Sequence, residues 1–185
     1  MKKLILGLTL AAPIILPLTA TPLAMANSAN SLERNISDSA ITAKVKAKFA
    51  VDKALNPFDI AVFTHHRVVT LKGQVDADTE YEQAVTLALS TTGVNDVEAE
   101  DLTVKDSRTP LKDLGITAKI KGKILKEKLF SSKKIPYWNI SIETKNQVVY
   151  VKGYVASAKV ENNILNILKH TDGVRSYVNL LKITG

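Results

Sequence analysis

The residues of this chain that could support chemistry are three histidines and a short acidic run. His65 and His66 are adjacent, where a turn between two strands is expected, and His170 lies far along the chain. Two neighbouring turn residues rarely converge on one metal ion without a third ligand. The run DADTE at 76–80 lacks the glycine and the distal glutamate of a calcium-binding EF-hand loop, and its carboxylates suit the start of a helix. We therefore predict no metal site.

Motifs of the common hydrolases and nucleotide-binding enzymes do not occur in the sequence. It contains no G-x-S-x-G, no phosphate-binding loop and no H-E-x-x-H. It also contains no cysteine, which excludes disulfides, thiolate metal sites and cysteine nucleophiles. We predict a protein with no catalytic residues and no cofactor.

The first 26 residues have the layout of a secretory signal peptide. Lys2 and Lys3 precede the apolar run LILGLTLAAPIILPL, and the tripeptide AMA that ends at Ala26 has the small-x-small pattern of a cleavage site. We predict Sec-type export, cleavage after Ala26 and a periplasmic protein, with an uncleaved membrane anchor as the alternative. Residues 27–36 are small and polar and are predicted to form a flexible lead-in. Export removes nucleic acid from the expected partners.

The rest of the chain contains one pattern twice. Three segments recur in the same order: SDSAITAKVKAKF (37–49) as KDLGITAKIKGKI (112–124), VVTLKGQV (68–75) as VVYVKGYV (148–155), and TTGVNDV (91–97) as TDGVRSY (171–177). A repeated order of parts indicates tandem modules.

Each copy is predicted to contain the elements α-β-β-α-β. Ile41, Val45 and Phe49 recur at the spacing of one helix face, as their counterparts do. Asp38 and Asp113 stand where helix N-caps are favoured. Alternating apolar residues then predict two strands, joined by the four-residue turns THHR and TKNQ, and a second helix and a last strand follow.

We therefore predict an α+β fold of two tandem αββαβ modules, each a three-stranded mixed sheet covered by two helices. The first two strands pair antiparallel, and the third returns parallel to a neighbour by a right-handed crossover. The first module is assigned to 37–106, a linker to 107–112 and the second module to 113–185.

Four glycines occupy equivalent places in the two copies. Gly73 and Gly153 lie inside the predicted central strand, where we expect a helix to cross closely over the sheet; a ligand against the bare backbone is the alternative. Gly93 and Gly173 stand where the second helices are expected to end. The segment from Gly93 to Leu102 is one residue longer than its counterpart, so we expect a β-bulge in the last strand of the first module.

The duplicated pattern resembles the BON domain family. The resemblance rests on DSAITAKVKAKF, VVTLKGQV and TTGV together with their second copies, and it spans essentially the whole chain after residue 36. It implies the αββαβ fold, a periplasmic address, no catalytic residues and a role in binding phospholipid membranes.

Charge is divided unequally between the two modules. The chain has a net charge of +7, but residues 31–108 hold nine Lys and Arg against thirteen Asp and Glu, and residues 109–185 hold fourteen against five. Three interpretations are open: solvated surfaces, an acidic side of the first module docked on the second, or an anionic partner for the second. Anionic phospholipid is such a partner in a bacterial envelope.

The residues predicted to bind lipid form two groups in the second module. One shares a stripe of its first helix: Lys119, Lys123, Lys126 and Phe130. The other follows that helix: Lys133, Lys134, Tyr137 and Trp138. An apolar residue on a basic stripe, and aromatic residues beside lysines, are typical of membrane interfaces. Trp138 aligns with Phe58 of the first module, so packing at the edge of the module is the alternative for it.

Together these features predict a non-catalytic periplasmic protein that binds the envelope or protects it under stress. The expected ligand is an anionic phospholipid surface, bound chiefly by the second module. The alternative is a chaperone-like or adaptor protein that binds periplasmic client proteins.

Overall fold

The computed structural model describes residues 36–107, 109–130 and 140–184, with residues 128–130 given by their backbone only. Domain 1 runs through five elements: helix α1 (Asp38–Val51), strands β1 (Ile60–His65) and β2 (Val68–Val75), helix α2 (Asp78–Leu89) and strand β3 (Asp96–Val104). Domain 2 repeats them: helix α3 (Leu111–Phe130), strands β4 (Ile140–Lys145) and β5 (Val148–Val155), helix α4 (Ala158–Lys169) and strand β6 (Ser176–Ile183). The predicted α+β fold of two αββαβ modules is confirmed.

Each domain has one mixed three-stranded sheet, in the orders β1-β2-β3 and β4-β5-β6. The first two strands of each sheet pair antiparallel and the third pairs parallel with the second. The repeated phrase, VVTLKGQV or VVYVKGYV, is therefore the central strand in both domains. The predicted β-bulge is confirmed too, because the register of β2 with β3 shifts between Thr70 and Lys72.

The helices cover one face of each sheet and form one apolar core per domain. Every side chain of the first-helix stripe is buried: Ile41, Val45 and Phe49 in domain 1, and Ile116, Ile120 and Ile124 in domain 2. These side chains pack in the core of their domain with inward-facing strand residues such as Leu71 in domain 1 and Val151 in domain 2. Burial of one such side chain contributes about 1.5–3 kcal/mol, so the sequence periodicity fixes which helix face meets the sheet.

The prediction that Asp38 and Asp113 are N-caps is wrong. Ser37 is the N-cap of α1, and its hydroxyl accepts the backbone N–H of Ala40. The Asp38 carboxylate instead accepts the backbone N–H groups of His66 and Arg67, at 2.8 and 2.9 Å. The hydrogen bond from Arg67 holds the pKa of Asp38 below its ordinary value. The first helix is thus fastened to the hairpin turn rather than capped by this residue.

In domain 2 an aspartate of the first helix binds the hairpin turn in the same way. The buried Asp113 carboxylate accepts the backbone N–H groups of Asn146 and Gln147, at 2.7 and 2.8 Å. These turn residues have φ of 51° and 64°, and the strands continue up to them on both sides, so the turn has two residues rather than the predicted four. Two left-handed residues make a type I′ hairpin, which normally takes asparagine and glycine. The aspartate compensates by binding both amide groups of the turn.

The expectation that a helix crosses closely over the sheet at Gly73 is wrong. Gly73 has φ of +134°, and a Cβ atom there would lie 2.0 Å from the carbonyl oxygen of Asp59. The neighbour is thus backbone at the start of β1, and not a crossing helix. Gly153 has nearly the same φ, +141°.

Gly93 and Gly173 lie beyond the helix ends at which they were expected. Helix α2 ends at Leu89 and helix α4 at Lys169, so each glycine lies in the turn that follows. A Cβ atom on Gly93 would lie 3.1 Å from Ile41, and one on Gly173 would lie 3.1 Å from Ile116. Both glycines therefore let the turn pass closely under the first helix of their domain.

Candidate functional site

Helix α3 belongs to two apolar cores at once. Leu114 and Ala118 are buried with the residues of domain 1, whereas Ile116 and Ile120 are buried with those of domain 2. Residues four apart lie on one helix face, so the two pairs occupy different sides of the helix. The helix that carries the predicted basic stripe is therefore the element that joins the domains.

The joint is close because small residues line it. A Cβ atom on Gly122 would lie 2.9 Å from the Cβ of Leu89 on α2. One turn away, the Thr86 hydroxyl donates to the carbonyl oxygen of Ala118 at 3.3 Å. Larger residues at 118 or 122 would push α2 and α3 apart. The close approach of Gly122 to Leu89 and the hydrogen bond from Thr86 to Ala118 would then be lost.

Three lysines of α3 reach across this joint to domain 1. Lys119 Nζ lies 3.4 Å from an Asp96 carboxylate oxygen, and its side chain is 15% exposed. Lys121 forms an ion pair with Glu82 of helix α2, and Lys126 Nζ donates to the backbone carbonyl of Val94. The interpretation in which the acidic side of domain 1 docks on domain 2 accounts for the contacts of Lys119 and Lys121.

Lys123 has a different role, which Lys48 repeats in domain 1. Lys123 Nζ donates to the His170 carbonyl at 2.8 Å and to the Thr171 hydroxyl at 3.2 Å. Lys48 Nζ donates to the Ser90 carbonyl at 3.1 Å. Each lysine meets the end of the second helix of its own domain, where cations complement the helix dipole. Burial lowers the pKa of both lysines.

The predicted basic stripe is thus engaged in intramolecular contacts at each described lysine. Of the other members of the predicted lipid-binding set, Phe130 is described by its backbone alone. The remaining four lie outside the described residues: Lys133, Lys134, Tyr137 and Trp138. Their role stays a prediction. The packing alternative for Trp138 likewise stays a prediction; Phe58, with which Trp138 aligns, is 95% exposed in domain 1.

A cavity of about 530 Å³ lies beside the joint, lined by residues of both domains that include Tyr81, Gly115 and Lys119. The Tyr81 hydroxyl donates to the Ala99 carbonyl at 3.3 Å. Burial, with a smaller contribution from the charge of Glu100, raises the pKa of Tyr81 to about 12. A phenol held neutral in this way serves packing and hydrogen bonding rather than proton transfer near pH 7.

The candidate chemical groups do not assemble into a reactive centre in the part of the chain that the structure covers. His65 and His66 have ring centroids 4.0 Å apart at the hairpin. Within the described ranges, no three histidine, aspartate or glutamate side chains are grouped so that they could hold a metal ion. Nor does any described helix have the length and apolar character needed to cross a bilayer.

One surface that differs between the domains, and that the sequence patterns did not predict, is the sheet face that the helices leave uncovered. On this outer face β5 presents Tyr150, Lys152 and Tyr154, and β6 presents Val178, Leu180 and Lys182 in register beside them. The apolar members are well exposed: Tyr150 by 38%, Tyr154 by 50%, Val178 by 37% and Leu180 by 49%. We call these six residues the outer patch.

Domain 1 has a polar, partly acidic surface at the equivalent positions. There β2 presents Thr70, Lys72 and Gln74, and β3 presents Glu98, Asp101 and Thr103 beside them. Lys72 forms an ion pair with Asp101 at 2.8 Å, whereas the counterpart of Asp101 beside Lys152 is Leu180. Position-by-position comparison of VVTLKGQV with VVYVKGYV could have found this, because alternate residues of a strand share a face.

Comparison with known proteins places the chain beside one family. The family model described as "BON domain" matches residues 37–106 and 112–185. "Osmotically-inducible protein Y" of Escherichia coli (strain K12) is 34% identical over 161 residues, covering 84% of this chain and 77% of that protein. An "Uncharacterized protein in gshII 5'region" of Anaplasma centrale is 28% identical, covering 80% of this chain and 95% of its own length.

One solved structure shows a weak overall similarity. It is the C-terminal domain of CdsD, a structural protein of the type III secretion system of Chlamydia trachomatis, at 12% identity. It covers 81% of this chain and 68% of its own, with a TM-score of 0.33, which is too low to support any conclusion about architecture or function.

Proposed function

This chain belongs to the BON domain family, and we propose that it is a non-catalytic, stress-related protein of the periplasm that binds anionic phospholipid chiefly through domain 2. The stress-related part rests on its similarity to a relative named as osmotically inducible. The periplasmic part rests on the signal-peptide pattern of residues 1–26, which lie outside the described residues.

The observation that carries phospholipid binding is the surface charge left on domain 2 once its joint with domain 1 is made. Seven of its basic side chains are exposed among the described residues: Lys112, Lys145, Lys152, Lys159, Lys169, Arg175 and Lys182. Three of its acidic side chains are exposed there: Glu127, Glu143 and Asp172. Only a lysine that directly faces an anionic membrane contributes, on the order of 1 kcal/mol of binding each, and lysines on a side turned away from it contribute little.

Vesicle flotation of the purified chain, truncated after Ala26, tests this function. We expect binding to vesicles that contain phosphatidylglycerol and none to pure phosphatidylcholine. Binding should weaken steeply with salt, because the Debye length falls from about 8 Å at physiological ionic strength to about 3 Å at 1 M. Equal binding to both kinds of vesicle, or to neither, would refute the proposal.

The segment that follows α3 is a separate candidate for membrane contact, which the emission of Trp138 tests. If Lys133, Lys134, Tyr137 and Phe130 approach the membrane, the emission of Trp138, the only tryptophan in the chain, should shift to the blue on addition of anionic vesicles. Reversal of Lys133 and Lys134 to glutamate should reduce that shift. An unchanged emission spectrum with vesicles that do bind the protein would exclude this segment from membrane contact.

Binding of periplasmic client proteins is the second candidate function. Domain 1 favours it, because Val51, Phe58 and Phe63 are exposed by 81%, 95% and 57%. Suppression of the aggregation of a model client would support this function. The single change Phe58→Ser should weaken such suppression without affecting flotation on anionic vesicles.

A further inference from the structure

The outer patch of domain 2 combines apolar and cationic side chains in one plane. Tyr150 lies in register beside Val178, Lys152 beside Leu180 and Tyr154 beside Lys182. Side chains on one face of a sheet stand roughly perpendicular to it, so apolar and charged groups reach the same level. This mixture is unusual for a surface that only meets water, where large apolar groups are normally scattered.

The charges of this face are mostly positive. Besides Lys152 and Lys182, the neighbouring strand β4 presents Lys145 and Glu143, which pair with each other at 2.9 Å. Hydrogen bonding to Glu143 raises the pKa of Lys145. Among the described residues Lys152 and Lys182 form no ion pair, in contrast to Lys72 at the equivalent place in domain 1. The face is thus complementary to an anionic partner.

We propose that the outer patch is the surface by which domain 2 docks on an anionic lipid bilayer. Tyr150, Tyr154, Val178 and Leu180 enter the interfacial layer, where tyrosine is favoured, and Lys152 and Lys182 meet the headgroup phosphates. This inference rests on the proposed function and adds its geometry: the sheet lies flat on the membrane, with helices α3 and α4 on the side away from it.

The helical side of domain 2 supplies the matched control. Lys159 and Lys169 are exposed residues of α4, which covers the opposite face of the same sheet. The variants K152E/K182E and K159E/K169E therefore change net charge equally on opposite sides of one domain. A third variant, Y150T/Y154Q, places the domain 1 residues in the patch without changing charge.

Flotation with phosphatidylglycerol vesicles should separate these variants. We expect K152E/K182E to lower the partition coefficient by about 30-fold or more, from the loss of two lysine contacts. Y150T/Y154Q should lower it several-fold, and K159E/K169E should change it little. Equal losses in both charge variants would leave phospholipid binding in place but overturn the patch as its site. Absence of binding by the unmodified protein would overturn the proposed function together with the patch.

Site-directed labelling reports the orientation directly, because the chain contains no cysteine. A nitroxide on Leu180→Cys should become shielded from a water-soluble relaxation agent when vesicles are added, whereas one on Asn162→Cys, an exposed α4 position, should not. Shielding at 162 and not at 180 would overturn the proposal. So would shielding at 180 that grows with protein concentration in the absence of vesicles, since the patch would then bind a second copy of the chain.

Discussion

Gly122 of helix α3 and Leu89 of helix α2 meet across the domain boundary so closely that one added methyl group has no room. A Cβ atom on Gly122 would lie 2.9 Å from the Leu89 Cβ, and a Cβ atom cannot rotate away as the tip of a side chain can. Domain 1 has Ala47 at the position equivalent to Gly122. The joint therefore depends on a glycine that only the second copy of the module carries.

The change Gly122→Ala should destabilise the protein even though it favours the helix. Alanine gains about 1 kcal/mol over glycine in a helix, but overpacking costs typically 1–3 kcal/mol. Gly115→Ala is the control in the same helix, where the nearest atom is the Tyr81 hydroxyl at 3.3 Å, the movable end of a side chain. We expect Gly115→Ala to leave the thermal midpoint unchanged or higher and Gly122→Ala to lower it. The reverse order would mean that α2 and α3 are not in close contact.

The ion pair between Glu82 and Lys121 predicts that a charge exchange restores what each single reversal removes. Glu82→Lys or Lys121→Glu places like charges together and should cost roughly 0.5–1 kcal/mol, since the pair is partly exposed. The double variant should recover most of that loss. Additive losses in urea unfolding would show that the two side chains do not interact.

Limited proteolysis should cleave the backbone between the domains without making the two domains dissociate. Arg108 lies in the predicted linker, and we expect trypsin to cut there early. Because Leu114 and Ala118 are buried in the core of domain 1, the two fragments should stay together in size-exclusion chromatography. Fragments that elute separately under native conditions would contradict the shared core. The same digest of the Gly122→Ala variant should show weaker association.

Removal of Asp113 should loosen the hairpin of domain 2. Asp113→Ala leaves the amide groups of Asn146 and Gln147 without their acceptor, and hydrogen bonds to charged groups contribute about 1.5–3 kcal/mol each. Because both bonds are lost, we expect the unfolding free energy to fall by about 3 kcal/mol or more, and we expect faster hydrogen exchange at both amides. Asp38→Ala is the matched change in domain 1, where the carboxylate is less buried and the loss should be smaller. Unchanged exchange at residues 146 and 147 would contradict this role.

Tyr81 predicts a loss of stability in alkali. Its pKa is raised to about 12 in the folded protein against about 10 unfolded. The unfolded chain therefore releases the phenol proton first, and stability falls as pH rises from about 10 to about 12. Tyr81→Phe should flatten this part of the pH profile of urea unfolding, whatever its effect near pH 7. An identical alkaline slope in the two proteins would refute the assignment.

Sequence reasoning found the fold because duplication made weak signals agree. The stripe of Ile41, Val45 and Phe49 recurs in the second copy, and the strands and their connections follow from the same comparison. The extra residue before Leu102 even located the bulge. Burial of an apolar stripe depends on the local pattern, and a local pattern can be seen in one sequence.

The surroundings of the lysines could not be obtained in the same way. A helical spacing shows that Lys119, Lys123 and Lys126 lie on one side of α3, but not what that side faces. The informative signal was the second stripe of uncharged residues, the apolar Leu114 and the small Ala118 and Gly122, because a helix with two apolar sides needs two partners. The outer patch was missed for a related reason, since tyrosine in a strand is compatible with core and surface alike.

The contact between α2 and α3 also limits how many modules can stack. Were it to continue as a linear array, α4 would offer the next helix the surface that α2 offers α3, which includes Glu82, Thr86 and Leu89. At those positions α4 carries Asn162, Asn166 and Lys169. At the other end α1 has Ser39 where α3 has the buried Leu114. Polar outer faces of this kind terminate repeat arrays, so the joint that unites the two domains gives no means of polymerising one molecule onto the next.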